Sequence, residues 1–552
     1  MPRSARFGLP AAAALFAAVA GAAGPLLPAG ATTAPSVHVH GHLLVVGPEG
    51  PGEQPAYAVA LADGDIVPVR GRFGSDVRTG AVFDGRLALP TSVVEDLSAR
   101  GESGSAAALT LVDRRSLTLS VIGTPAVTAA APAVTATTHD QFVAAIDNLG
   151  ALGQSDPQLL GHVTTVGSYW GAESNGAIAG ITVPTTVTHY STGLTTSDCG
   201  LGSDFFGVVQ EAADEFPAFD DFSGSDQLVL FVPPSCGSGS VVGEGTVGSS
   251  FASGGALVVK AGNAIEGTYA HETGHNYGFQ HANARYAGTS MEYYGVYDVM
   301  GFALDGFNQL TALSTPFRVF QGITDPGEIQ VVPIGDGRAA VRATATIRPR
   351  SDHTGVRSVR VKNPDTGQNL YLDFRSGTGQ DTGAFYADTA HGYYLSSSHG
   401  PVHYAPGVVI TAARGNGGTD ELVVDATGDT SLGSGDTWRN ASHTLAVHVT
   451  SLGAAAHVTV DYTLRSLASA KPTISGRPRV GGTLTAKHGA WTPGTTFAYA
   501  WYADGKRIRH RTSSKLTLAR AQRGKHIKVK VTGTKPGYTR ASRTSARTAA
   551  VP

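Results

Sequence analysis

Residues 271–281 read HETGHNYGFQH, and this stretch constrains the fold of the chain more tightly than any other. His271 and His275 are four residues apart, so a helix places their side chains on one face, about one turn apart. Gly278 is the expected end of that helix, because glycine adopts the left-handed backbone conformation that terminates helices. The chain then turns, and His281 returns to the same point from outside the helix. The motif therefore predicts a helix, a glycine turn and a returning segment.

The residues before the motif favour a helix over 264–277. Asn263 is a candidate N-cap and Glu266 follows three residues later, an arrangement close to a capping box. Two imidazoles at the motif's spacing can reach one zinc ion at about 2.0–2.1 Å, and His281 supplies a third ligand. Three protein ligands and one open position are typical of catalytic zinc, whereas the alternative is a set of solvated helix histidines.

Glu272 is the candidate general base. It follows His271 directly, so its carboxylate lies beside the metal, where it can hold a water molecule. Zinc lowers the pKa of bound water toward about 7 and polarises a peptide carbonyl. Glu272 then takes a proton from the water and passes it to the leaving amine. The pattern predicts hydrolysis of peptide bonds without a covalent intermediate.

The pattern HExxHxxGxxH followed by a methionine turn resembles the metzincin zinc endopeptidases. The methionine is Met300, in YGVYDVMG, and the resemblance implies that it lies beneath the zinc ligands as a hydrophobic floor. An ordinary core methionine is the alternative. Within the metzincins, HETGHNYGFQHA and the turn ending in VMG are most similar to the gametolysin-type peptidases. The resemblance is strong over 263–301, moderate over 185–440, and absent from the N-terminal region and the tail.

One departure from the metzincin pattern lies just after the methionine. Some metzincins have a tyrosine two residues beyond it, whereas this chain has Phe302. A phenolic metal ligand is therefore not expected from that position. The candidates to assist an oxyanion instead are Tyr293, Tyr294 and Tyr297.

The N-terminus predicts export. Arg3 and Arg6 precede an apolar run over 7–23, and small residues follow, so 1–31 reads as a signal peptide. No later segment has 18 consecutive apolar residues, so no transmembrane segment is expected in the mature form. The protein is expected to be secreted, with cell-wall association as a further option. In an exported chain the two cysteines, Cys199 and Cys236, are expected to form one disulfide.

The pattern of elements predicts a multidomain chain in which an α/β (α+β) metzincin-like catalytic domain is flanked by β-rich domains. The expected parts after the signal peptide are a β-rich propeptide or accessory domain over 32–123, an Ala/Thr/Pro linker over 124–138, the catalytic domain over 139–325, a β-sandwich-like domain over 326–466 and a basic Ig-like domain over 467–552. The last resembles modules appended to secreted actinobacterial proteins.

Several elements of the catalytic domain can be predicted locally. THDQFVAAIDNLG, at 138–150, is expected to be a helix. DFFGVVQEAADEF has apolar residues at helical spacing, with Asp204 as the N-cap. QLVLFVPP and GALVVKA are expected to be buried strands.

The sequence gives weaker indications of how a zymogen would be kept inactive and of calcium binding. No cysteine precedes Cys199, so a propeptide cysteine cannot silence the zymogen, and Asp76 or Asp84 is the alternative blocking ligand. The stretch FDDFSGSD, at 219–226, clusters acids as calcium sites do but lacks the usual loop spacing. A solvated acidic loop is the alternative there.

Charge is distributed unevenly along the chain. Residues 471–552 contain 18 lysines and arginines and a single acid, Asp504, whereas the remainder contains 23 basic and 42 acidic residues. A module this basic can bind an anionic cell-wall polymer or acidic polysaccharide by counterion release. The alternative is a soluble spacer. Nothing in the pattern indicates sequence-specific nucleic-acid recognition.

Two functions follow from the sequence. The first is a secreted zinc endopeptidase acting on protein or peptide substrates. The second is a cell-surface binding or adhesion protein whose peptidase domain has lost activity. The presence of Glu272 favours the first, because a protein without catalysis has no need of the base.

Overall fold

A computed structural model describes residues 35–48, 53–100, 118–128, 136–219, 222–237, 241–262, 265–333, 340–387, 393–425, 427–535 and 537–552. The described chain is multidomain and strand-rich, as predicted. It divides into two compact units. Unit 1 comprises the described residues up to Glu328 together with Pro349–Arg357 and Asp373–Ser431, and unit 2 comprises Ile329–Arg348, Ser358–Leu372 and Leu432–Pro552. The stretch 326–466 is thus shared between the two units.

Unit 1 begins with a closed five-stranded barrel of order β1-β2-β3-β5-β4. Its elements are β1 (Ser36–Val46), β2 (Ala56–Leu61), β3 (Ile66–Arg70), β4 (Val82–Ala88), α1 (Thr91–Arg100) and β5 (Leu119–Thr128). Alternating apolar residues such as Val37 and Val39 of β1 are buried, as a strand with one inward face requires. The region predicted to be β-rich is therefore a barrel. Its last strand extends into the predicted linker, of which 129–135 lie outside the described residues.

The second part of unit 1 is a mixed sheet of order β10-β11-β9-β6-β7, with β8 also paired to β6. Its elements are β6 (Thr137–Ile146), α2 (Asp156–Glu173), β7 (Ile178–Thr182), β8 (Thr188–Tyr190), α3 (Phe205–Asp214), β9 (Gln227–Val232), β10 (Gly243–Gly245), β11 (Gly255–Lys260) and α4 (Ile265–Asn276). The strands β11, β9, β6 and β7 are parallel, and the edge strand β10 is antiparallel to β11.

Alternate residues of the central strands point to opposite faces of this sheet. On one face, Val143 and Val229 pack with α2 and α4. On the other face, Ala144 and Leu228 pack with α3 and with residues of the barrel. The helix that carries the histidine motif therefore lies on one face of a rigid sheet, and the barrel lies on the other side.

The predicted helix over 138–150 is wrong, because this stretch forms the central strand β6. Residues 143–146 are all buried, with neighbours on both faces of the sheet. A strand buried on both sides reads as a continuous apolar run and loses the alternation that distinguishes strand from helix. The predicted strands at β9 and β11 are confirmed. The predicted helix α3 is also confirmed, and Asp204 caps it by accepting a hydrogen bond from the Gly207 amide at 3.1 Å.

The rest of unit 1 follows α4 and includes β12 (Ala282–Tyr286), β13 (Thr289–Met291) and α5 (Thr315–Phe320). The later strands belong to both units and comprise β14 (Ile329–Val331), β15 (Ala340–Ile347), β16 (Ser358–Lys362), β17 (Asn369–Arg375), β18 (Tyr393–Ser397), β19 (Gly400–Tyr404), β20 (Gly407–Ala413), β21 (Thr419–Leu422), β22 (Ser431–Leu432), β23 (Thr437–Arg439), β24 (Leu445–Ser451) and β25 (Ala456–Thr463). Within unit 1, β12 pairs in parallel with β21, and β21 pairs with β20. The segment after the third histidine is thus held by a strand more than a hundred residues downstream.

Unit 2 ends in a small β module. Its strands are β26 (Arg465–Ser466), β27 (Thr473–Ser475), β28 (Thr483–Lys487), β29 (Thr496–Ala503), β30 (Lys506–Arg507), β31 (Lys515–Thr517), β32 (Ile527–Thr534), β33 (Tyr538–Thr539) and β34 (Ala541–Thr544). They form one sheet of order β27-β28-β31 and another of order β30-β29-β32-β34. Trp501 lies in a buried core made of residues of this module alone.

The predicted disulfide between Cys199 and Cys236 is present, with a Cα–Cα distance of 5.7 Å. Across the described stretches of the chain, no helix is long and apolar enough to cross a membrane.

Candidate metal centre

The three motif histidines converge on one point. One ring nitrogen from each of His271, His275 and His281 lies within 4.8 Å of the others, and all three residues are buried. His271 and His275 come from α4, one turn apart, and His281 comes from the segment after the turn. Gly278 makes that turn with a φ of +87°. Its amide donates to the His275 carbonyl at 2.8 Å, so the helix ends where the sequence indicated.

Hydrogen bonds fix the orientation of each imidazole. Nδ1 of His271 donates to the Val299 carbonyl at 3.1 Å, and Nδ1 of His275 donates to the Phe279 carbonyl at 2.8 Å. Nδ1 of His281 donates to Oε1 of Glu292 at 2.8 Å. With the proton on Nδ1, the lone pair of each ring is on Nε2.

The chemistry of this donor set fits a metal ion. Nε2 of His271 is buried and has no hydrogen-bond partner within the described part of the chain, which is costly unless a ligand uses its lone pair. Each ring also donates its other nitrogen to a carbonyl or carboxylate, the arrangement that ligating histidines almost always show. Zinc suits three imidazoles with one position left open.

Burial keeps two of the rings neutral. Desolvation, reinforced by His281, lowers the pKa of His271 to about 3. Desolvation, reinforced by His271 and His281, also lowers the pKa of His275 well below its usual value. A metal ligand must be the neutral imidazole, so at neutral pH neither ring has to lose a proton before it binds.

The side chain of Glu272 extends from α4 toward the edge strand β10. Its side chain is buried, and it faces two glycines of that strand. A Cβ atom on Gly243 would lie 2.6 Å from Oε1 of Glu272, and one on Gly245 would lie 3.2 Å from Oε2. The carboxylate fits here because β10 carries no side chains at these positions. The candidate base is thus held beside the edge of the sheet, one residue from His271.

Met300 lies directly beneath the helix. Met300 is fully buried. Its carbonyl accepts a hydrogen bond from the Ala282 amide at 2.7 Å, which holds its backbone in place. A Cβ atom on Gly274, between the two helical histidines, would overlap the Met300 sulfur and approach the Trp170 ring at 3.1 Å. The methionine therefore packs against the turn of α4 that carries His271 and His275, and glycine is required at position 274.

Of the three candidate tyrosines, Tyr293 is the one beside the histidines. Its ring centroid lies 4.1 Å from that of His281 and 5.4 Å from that of Phe302. Its backbone has a φ of +65°, a conformation rare for a bulky residue. Tyr294 instead donates to the Ser396 carbonyl at 2.6 Å, and Tyr297 donates to the Ala405 carbonyl at 2.9 Å.

Glu292 is the residue that reasoning from the sequence missed. It accepts the hydrogen bond that orients His281, and its side chain is mostly buried. No periodicity or motif marks it in TSMEYYG. The only available signal is the general one that a ligating histidine needs an acceptor for its second nitrogen, and an acid eleven residues downstream is one candidate among several.

Distant segments hold the backbone around the ligands. The Gly248 amide donates to the His275 carbonyl at 2.9 Å, and the Thr419 amide donates to the His281 carbonyl at 3.2 Å. The barrel contacts the residue before Gly248, since the Val247 amide donates to the Val45 carbonyl at 2.6 Å. The barrel is therefore linked by two successive hydrogen-bonded residues to the end of the motif helix.

The remaining predictions have mixed outcomes. Asp84 lies on a barrel strand, where its Oδ1 is 2.8 Å from Nε2 of His38, and among the described residues no barrel carboxylate joins the three-histidine group. The proposed cap Asn263 lies outside the described residues, as do Asp220 and Asp221 of the acidic stretch. The calcium site stays a prediction.

No family model and no curated protein matches this chain. Among solved structures, the chain is similar to wild-type OgpA from Akkermansia muciniphila, with 10% sequence identity, 75% of this chain and 94% of that chain covered, and a TM-score of 0.22. A similarity at this level carries no argument about fold or function.

Proposed function

We propose that the protein is a secreted, zinc-dependent endopeptidase of the metzincin type that hydrolyses peptide bonds in extracellular proteins. The observation that carries the proposal is the convergence of three buried imidazoles within 4.8 Å, with a carboxylate one residue from the first of them on the same helix. Structural zinc sites use four protein ligands, whereas three leave room for a reactant.

Each residue of the site has a distinct task. His271, His275 and His281 would hold the zinc through Nε2. When bound, zinc supplies a Lewis acid that makes water more acidic and polarises a carbonyl group. Glu272 accepts the proton of the attacking water and returns it to the leaving amine. Tyr293, beside His281, is the tyrosine best placed to donate to a developing oxyanion.

In this proposal the peptide substrate binds along the edge strand β10. Extended peptides commonly add to an exposed sheet edge through main-chain hydrogen bonds. A peptide laid along β10 passes the carboxylate of Glu272, which lies under Gly243 and Gly245. This arrangement suits a protein chain better than a compact small molecule.

The metzincin assignment rests on the HExxHxxGxxH spacing, on the glycine turn at Gly278 and on Met300 beneath the helix. Secretion rests on the N-terminal pattern, with which the Cys199–Cys236 disulfide agrees. Zymogen latency stays a prediction, and so does the role of the N-terminal domain as propeptide or accessory domain.

Hydrolysis of casein or gelatin by the purified full chain tests the proposal. We expect activity that a chelator abolishes and zinc restores. Glu272→Gln should lower activity by about 100-fold or more while zinc remains bound, because the base is lost and the ligands are kept. Glu266→Gln is the matched control on the same helix, since this half-exposed side chain contacts His162 and lies away from the three-histidine centre.

A different result favours the second candidate function. If the full chain binds zinc but hydrolyses neither substrate, and Glu272→Gln changes nothing, the domain is a binding module and not an enzyme. If Glu272→Gln leaves a measurable proteolysis unchanged, the assigned role of Glu272 is wrong.

A further inference from the structure

The C-terminal module has one sheet face that carries positive charge and an aromatic ring. In the sheet β30-β29-β32-β34, Tyr502 is directly opposite Arg507 on one side and Lys528 on the other. Residues directly opposite each other point to the same face of a sheet. Lys530 lies two residues beyond Lys528, and so points to that face as well. We call Arg507, Tyr502, Lys528 and Lys530 the cationic face.

The opposite face of the same sheet is the core of the module. Trp501, Ile527 and Val529 alternate with the residues of the cationic face and are fully buried. Arg507, Lys528 and Lys530 are exposed, and Tyr502 is half-buried. The fold therefore directs these four side chains outward from a backbone that the packed core beneath holds in place.

The positive charges of this face are not paired with acids in the described part of the module. In the described part of 467–552 no lysine or arginine forms an ion pair, and the single acid, Asp504, accepts a hydrogen bond from the His526 amide at 2.9 Å. An anionic partner that binds to this face would supply the opposite charge that these side chains lack.

We infer that the cationic face is a docking surface for an anionic polysaccharide carrying carboxylate or phosphate groups. Lys528 and Lys530 stand about 7 Å apart along the strand, and Arg507 lies about 10 Å away across two strands. This is a pattern of separated charges suited to a repeating polymer. The guanidinium of Arg507 can bind a carboxylate or phosphate in bidentate fashion, and the Tyr502 ring offers an apolar surface to a sugar.

A polysaccharide fits this face better than a nucleic acid. Proteins that bind single strands without sequence preference use several aromatic rings on which successive bases stack. The cationic face has one aromatic ring, set between cations. The inference depends on the module alone, and it stands whether or not the proposed peptidase activity is found.

The test measures binding of the full chain to polygalacturonate, with neutral dextran and duplex DNA as comparison polymers at the same salt concentration. We expect binding to polygalacturonate that weakens with salt, and none to dextran. Lys528→Glu with Lys530→Glu should weaken binding by about tenfold or more. Lys487→Glu with Lys515→Glu is the matched control, because it reverses two exposed charges on the other sheet of the module.

The outcomes separate the possibilities. Tyr502→Ala leaves the charge unchanged and should still weaken binding severalfold, which a purely electrostatic attraction does not predict. Equal losses in the two double variants would overturn the assignment to this face. Tighter binding of DNA than of polygalacturonate would overturn the choice of polysaccharide, and absence of binding to any anionic polymer would overturn the inference as a whole.

Discussion

The N-terminal barrel and the C-terminal basic module are both small β domains, but their cores are organised differently. The barrel has an interior of its own, and it also places Leu44, Val46 and Ile66 into a core shared with Phe205 and Phe206, at the start of α3. The core of the module contains residues of the module alone. The barrel shares a core with the sheet that carries the three-histidine centre, whereas the described core of the module is its own.

This difference shows how α4, the helix that carries His271 and His275, is supported. The barrel meets the β10-β11-β9-β6-β7 sheet through buried apolar side chains and through the Val45–Val247 hydrogen bond. Val247 is followed by Gly248, whose amide donates to the His275 carbonyl. Removing the barrel would expose the apolar face of α3 to water. We therefore expect a change in the barrel core to affect the three-histidine centre, and a change in the core of the module to leave it unaffected.

The largest effect is expected from a cavity in the shared core. Leu44→Ala removes a fully buried side chain and should lower the stability of unit 1 by about 2–5 kcal/mol. Leu516→Ala makes the same change in the core of the module. Scanning calorimetry with a parallel activity assay separates the two. Leu44→Ala should lower the transition at which activity is lost, and Leu516→Ala should lower a different transition. If both variants lower the temperature of the transition at which activity is lost by the same amount, the proposed difference between the two cores is wrong.

The next effect tests the packing directly beneath the metal ligands. Gly274→Ala places a methyl group against Met300 and Trp170, and overpacking of this kind should cost about 1–3 kcal/mol and lower zinc affinity. Gly161→Ala in α2 is the control, because a Cβ there meets no atom within 4 Å, and it should stabilise the helix by up to about 1 kcal/mol. Unchanged zinc content and stability in Gly274→Ala would show that Met300 does not pack as described.

A smaller effect is expected where the barrel meets the segment before Gly248. The Thr79 hydroxyl accepts from the buried Val45 amide at 2.9 Å, and Thr79→Val should cost about 1 kcal/mol by removing that acceptor. Thr483→Val removes an exposed hydroxyl contact in the module and should be near neutral. Urea unfolding measures both. If the two substitutions lower the free energy of unfolding by similar amounts, the Thr79–Val45 hydrogen bond contributes no more than an exposed hydroxyl contact.

The smallest effect is a pH dependence at His189, in the part of unit 1 that follows the barrel. Hydrogen bonds to Asp147 and then to Asp156 raise the pKa of His189. A raised pKa in the folded state means that the stabilisation is complete below the unfolded pKa of about 6.5 and is lost as pH rises through the folded value. His189→Gln should therefore cost under about 1 kcal/mol at pH 5.5 and nothing at pH 9, by urea unfolding. A cost that grows with pH would contradict this assignment.

The sequence predicted the parts of the site that depend on local geometry. The i, i+4 spacing of His271 and His275 and the helix end at Gly278 follow from helix geometry and glycine conformation, and the structure has both. Helix α3 and its cap at Asp204 were predictable for the same reason. Local rules work where the cause of the structure lies within a few residues.

The features that were missed depend on contacts between distant residues. The stretch that forms β6 reads as a helix because its burial on both faces is set by α2 and α4 on one side and by α3 and the barrel on the other, and not by its own pattern. The contact between Val45 and Val247 joins residues about two hundred positions apart and has no local signature. Glu292 is likewise identified only once His281 is seen to need an acceptor.

The central claim is that His271, His275 and His281 hold a zinc ion, and metal analysis of the full chain with X-ray absorption tests it most directly. We predict one zinc per chain, with three imidazole nitrogens at about 2.0–2.1 Å and no sulfur ligand. His281→Ala should lose that zinc while the disulfide remains intact. Zinc at background level in the unaltered chain, or a zinc unaffected by His281→Ala, would contradict the account.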